Sequence, residues 1–122
     1  MFNKLKILYI EDNEDDMILI NHTLKEICQD IYHQRVDNKY DLAYLLESEK
    51  WDIIVIDNSL PQMTSLEAIN LIKDREIEIP MICVSGSDFF DLKDQCMEAG
   101  AQAFILKKNL DDIVETIMKI IQ

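Results

Sequence analysis

Hydrophobic residues gather in short blocks along this chain, and between the blocks they recur at helical spacing. Leu5 to Ile10 (interrupted by Lys6), Ile53 to Ile56, Met81 to Val84 and Ala103 to Leu106 are runs of strand length. The middle two are continuous rather than alternating, which fits strands buried on both faces of a parallel sheet covered by helices. Tyr32 to Val36 also contains strand-forming residues, but His33, Gln34 and Arg35 among them predict a less buried edge strand.

The segments between these runs carry a different period. Met17, Ile20, Leu24 and Ile27 form an apolar stripe that predicts a helix over Asp16 to Cys28. Leu42, Leu45 and Leu46 mark a second helix, Leu66, Ile69, Leu71 and Ile72 a third, and Leu92, Cys96 and Ala99 a weaker fourth. Ile113, Val114, Ile117 and Ile121 make the last, with Asn109 or Asp111 as its cap. Gly100 suits a left-handed position closing the fourth helix. Strands and helices therefore alternate, and right-handed crossovers put helices on both faces: an α/β, doubly wound (βα)5 domain. The chain, 122 residues long, has only two Gly and two Pro, with no linker or repeat, and is expected to be a single domain over 1–122.

Charge narrows the function classes. Twenty-four acids against 12 bases give a net charge of -12, which opposes binding to nucleic acid. Cys28, Cys83 and Cys96 are widely spaced and form no zinc or disulfide pattern, so they read as buried small hydrophobes. The first apolar stretch is cut short by Glu11 and Asp12, so it is neither a signal peptide nor a membrane span; a cytoplasmic protein without membrane insertion is expected.

Candidate chemistry lies at the strand ends. In open α/β sheets ligands bind beyond the carboxyl ends of the strands. The first strand ends at Glu11-Asp12 and the third at Asp57, and the common doubly wound order 2-1-3-4-5 makes those strands neighbours. Three carboxylates then meet, a costly arrangement without a cation. Oxygen donors with no nearby Cys or His favour Mg2+ or Mn2+. Ser85 ends the fourth strand and Lys107 the fifth, bringing a hydroxyl and a cation to the same edge. Together these groups suit phosphoryl chemistry, with Asp57 as nucleophile, Glu11 and Asp12 holding the metal, and Lys107 and Ser85 stabilising the phosphoryl oxygens. Taken alone, the acids of Glu11 to Asp16 read as a solvated charge run. An EF-hand fails there because Met17 stands where its Gly is required.

In this order and spacing the residues resemble the receiver domain of two-component response regulators, of the stand-alone, chemotaxis-protein-like kind, along essentially the full chain. The carriers are Glu11-Asp12, Asp57 followed by Pro61, Ser85-Gly86, and the stretch from Gly100-Ala101 through Phe104 to Lys107. The resemblance implies a flavodoxin-like fold and a phosphoryl group taken by Asp57 from a sensor histidine kinase or histidine phosphotransfer protein. It implies direct metal ligation by Asp12, Asp57 and the Ser59 carbonyl, with Glu11 acting through water. Ser85 and Phe104 would form the switch, remodelling the face of helix four, strand five and helix five, where Phe89 and Phe90 also fall. The domain would catalyse its own phosphorylation and dephosphorylation, and with no output domain it would signal through an unidentified protein target. The alternative is a non-phosphorylated pseudo-receiver serving as an interaction module. Two positions depart from the family: Lys108 replaces the proline, held cis, that usually follows the lysine, and Thr64-Ser65 replaces Asp-Gly.

Overall fold

The computed structural model describes residues 2–58, 62–88 and 91–121. Its elements run β1 (Phe2–Ile10), α1 (Glu14–Leu24), β2 (Cys28–Val36), α2 (Lys39–Ser48), β3 (Ile53–Asp57), α3 (Ser65–Asp74), β4 (Met81–Ser85), α4 (Leu92–Ala99), β5 (Ala103–Leu106) and α5 (Asp112–Ile121). The five strands form one parallel sheet in the order β2-β1-β3-β4-β5. This is the doubly wound flavodoxin-like architecture expected from the alternating pattern.

Every residue of β3 and β4 is buried, as their unbroken apolar runs require. Successive side chains point to opposite faces, and each face has its own cover. Leu8, Ile10, Ile54, Ile56, Met81 and Cys83 pack with Leu42, Leu46, Ile69, Ile72 and Cys96 from α2, α3 and α4. Ile7, Tyr9, Ile53, Val55, Ile82 and Val84 pack with Met17, Ile20, Leu24, Ile113 and Ile117 from α1 and α5. The three cysteines are free and buried.

The first helix is shorter than its stripe suggests. It ends at Leu24 rather than Cys28, and Cys28 opens a β2 of nine residues. Lys25, Glu26 and Ile27 donate N–H bonds to the carbonyls three residues back, His22, Thr23 and Leu24, which tightens and closes the helix. Ile27 stays buried beneath this turn, so its helical spacing reflects burial alone. β2 is an edge strand, buried at its two ends and open between them.

Local caps fix the other helices. Thr64 Oγ1 accepts from the Glu67 N–H at 3.1 Å, and Glu67 Oε1 accepts from the Thr64 N–H at 3.3 Å, a reciprocal cap for α3. Gly100, at φ 130°, closes α4 in a conformation that side chains with a Cβ rarely adopt. Among the described residues no helix is long and apolar enough to cross a membrane.

Ile82 is fully buried, whereas Tyr40 is 77% exposed. Urea unfolding should therefore show Ile82→Ala losing about 2–5 kcal/mol, while Tyr40→Ala stays within about 0.5 kcal/mol of the parent. Similar losses in both would contradict this division of the packing.

Candidate functional site

Sheet register builds the site. Ile10 pairs with Ile56, so the next residues, Glu11 and Asp57, emerge side by side from the carboxyl edge. Asp57 pairs with Val84, placing Ser85 one step further along, and Ser85 pairs with Leu106, placing Lys107 one step beyond that. The strand ends thus form a staircase around Asp57.

Glu11, Asp12 and Asp57 converge there: one carboxylate oxygen from each lies within 4.8 Å of the others. Glu11 and Asp57 are 3% and 1% exposed, while Asp12 faces solvent. Burial pushes the Glu11 carboxyl up from 4.5 to about 8; its hydrogen bond with Asp57 and that residue's charge add to the rise. The Asn13 N–H, 3.0 Å from Glu11 Oε1, and the Lys107 charge oppose it. Glu11 is therefore held toward its protonated form, with burial as the main cause.

Lys107 supplies the positive charge. Its Nζ lies 3.4 Å from Asp57 Oδ2 and 2.8 Å from Asp16 Oδ2. Burial lowers its proton affinity, but the Asp16 hydrogen bond and the charges of Asp57, Glu11 and Asp16 outweigh that and raise it above the ordinary value. No cis peptide bond occurs among the described residues. The Lys107–Lys108 bond is trans, and the chain turns through a single 3-10 turn, Lys107–Asn109, before α5. Lysine reaches Asp57 along this route without the family's proline.

Ser85 is buried at the same edge, with its hydroxyl turned into its own loop. Its Oγ donates to the Ser87 carbonyl at 2.6 Å and accepts from the Ser87 N–H at 3.2 Å. Phe104 is half-buried on the other side of the sheet, packed against the α2-α3-α4 core. It also lines a groove of about 370 Å3 with Asp88, Lys93, Leu106 and Asp112 between α4 and α5. Ser59, Phe89 and Phe90 lie outside the described residues.

Sequence reading missed Asp16, assigning it to a solvated acidic run. Asn13 caps α1 by accepting from the Asp15 N–H, and Asp16 falls in the first turn, rotated toward Lys107. The signal available was its place in the first turn of a helix that starts directly after the Glu11-Asp12 strand end.

A model of the response regulator receiver domain family matches residues 7–118. The chain belongs to that family. The receiver is 28% identical over 106 residues to the virulence transcriptional regulatory protein PhoP of Shigella flexneri, covering 84% of this chain and 45% of PhoP. With two-component response regulator ARR5 of Arabidopsis thaliana it shares 32% identity over 74 residues, 59% of this chain and 40% of ARR5. It thus spans less than half the length of these two relatives. Its fold is similar to that of the phosphorylated cyanobacterial phytochrome response regulator RcpA, with TM-score 0.80, 24% identity, and coverage of 97% and 94% of the two chains. The receiver domain of sensor histidine kinase PA1611 from Pseudomonas aeruginosa, solved with magnesium in its active-site cleft, gives TM-score 0.71 at 20% identity, covering 95% and 98%.

Receivers of this family take phosphoryl groups from histidine kinases and bind magnesium in the active site. The donor set here fits such an ion: three carboxylates crowd together with no softer ligand among them, and burial, reinforced by Asp57, raises the proton affinity of Glu11. The folded Glu11 carboxyl binds its proton more tightly than the unfolded one. With a chelator present, Glu11 therefore stabilises the fold fully below pH 4.5, and that contribution is lost as pH rises to about 8. Thermal unfolding from pH 5 to 8 should show this downward slope in the parent and a flatter one in Glu11→Gln. Equal slopes would place the linkage elsewhere.

Proposed function

We propose that this receiver accepts a phosphoryl group on Asp57 from the phosphohistidine of a sensor kinase or phosphotransfer protein. The single observation that carries this reading is the meeting of three carboxylates and Lys107 at one sheet edge. In the transfer, an Asp57 carboxylate oxygen forms a bond to phosphorus as the P–N bond to the donor histidine breaks, and that electron pair leaves with the imidazole. Asp57 is buried at a fixed register position, so little motion is needed to present its oxygen. Lys107, already within reach of Asp57, donates to the incoming oxygens and offsets their charge.

Asp12, Asp57 and the Ser59 carbonyl would hold Mg2+ or Mn2+ directly, with Glu11 acting through a water, and the proton on Glu11 would be released. When bound, the ion supplies charge neutralisation for the carboxylates and the phosphoryl oxygens. Hydrolysis runs through the same groups: water attacks phosphorus, the Asp57–phosphorus bond breaks, and the carboxylate is restored. The protein thereby catalyses both its own phosphorylation and its own reset.

The output is a change of contact surface. The Ser85 hydroxyl is held by two hydrogen bonds to Ser87 that a phosphoryl oxygen could replace. Movement of Ser85 toward Asp57 opens space behind β4, and Phe104, half-buried at the neighbouring strand, turns inward to fill it. That shift remodels the α4-β5-α5 groove for a downstream protein.

Acetyl phosphate with magnesium should add one phosphate to the parent protein and none to Asp57→Asn, read by intact-protein mass spectrometry. Persistent labelling of the variant would sink the assignment of Asp57.

A further inference from the structure

Lys107 must place one ammonium group opposite Asp57 from a flexible four-carbon stem, and Lys108 follows it in place of the proline usual in the family. The Nζ sits closer to Asp16, at 2.8 Å, than to Asp57, at 3.4 Å. We infer that Asp16 is a positioning residue for the phosphoryl transfer, holding Lys107 in the orientation that serves Asp57. The inference rests on the reading of Asp57 as phosphoacceptor and extends it to a residue on a different element.

Several features make Asp16 suited to that work. It lies in the first turn of α1, whose N-terminal end favours a carboxylate, and the Asn13 cap fixes the backbone around it. The Asp16 and Lys107 side chains are only 24% and 27% exposed, so water and salt screen the pair less than a surface ion pair. An ammonium group has three N–H donors. One meets Asp16 and one Asp57, which leaves the third for a phosphoryl oxygen; Asp16 thus orients the lysine without using up its capacity.

The contact also joins elements far apart in the chain. Met17, the next residue, is buried in the core shared by α1 and α5, and Ile105, two residues before Lys107, is buried in that same core. Asp16 and Lys107 are therefore both anchored through neighbours on the same side of the sheet. A carboxylate so anchored limits the rotamers open to the lysine, and small misplacement of a catalytic group carries a large rate penalty.

The test is a double-mutant cycle on the rate of labelling by acetyl phosphate with magnesium, using the full chain. Asp16→Asn should slow labelling about tenfold while keeping the parent's circular dichroism and unfolding midpoint, and Asp16→Glu should recover part of the rate. In a Lys107→Ala background, Asp16→Asn should change the rate by less than about twofold, because its effect passes through the lysine. Where labelling is too slow to time, beryllofluoride affinity in the same proteins supplies the cycle. A rate in Asp16→Asn equal to or above the parent's, or losses that multiply in the double variant, would overturn the role of Asp16. Absence of labelling in the parent would instead sink the Asp57 reading itself.

Discussion

The crowding of Glu11, Asp12 and Asp57 at one sheet edge, with two of the three carboxylates buried, is the constraint around which the rest of this receiver is arranged. Two of these carboxylates are almost wholly removed from water, and they stay there because β1 and β3 are pinned in register by apolar residues on both faces of the sheet. The surrounding core offsets the electrostatic cost. Glu11 keeps a proton well above the ordinary carboxyl range, and Lys107 brings its charge from β5. A hard cation held by these oxygens would offset their crowded negative charge.

The two covers of the sheet divide the labour. On the α1 and α5 side, packing of Met17 and Ile105 into one core carries Asp16 and Lys107 into contact. On the other side, Phe104 rests against the α2-α3-α4 core and borders the groove toward α5. Ser85 stands at the edge between them with its hydroxyl held in its loop. The pairing of β4 with β5 links these neighbouring strand ends.

Much of this was legible in the sequence because burial on both faces leaves no room for polar residues. The unbroken runs Ile53 to Ile56 and Met81 to Val84 announce β3 and β4, and with them the positions of Asp57 and Ser85. Boundaries governed by single turns were not legible. The apolar spacing of Ile27 continues that of α1 although the chain has already turned at Lys25 to Ile27. Asp16 was hidden for a related reason: an acid in an acidic run has no pattern of its own, and its importance comes from a lysine on the far side of the sequence. The direction of the Ser85 hydroxyl depends on a rotor and a neighbouring carbonyl, which no residue spacing encodes.

The most direct test of the crowded-carboxylate account is a magnesium titration of the protein followed by backbone amide NMR. A single saturable transition is expected, with the largest shifts at Glu11 to Asn13, Asp57 to Asn58 and Lys107. No saturable change, or shifts centred away from these strand ends, would contradict it.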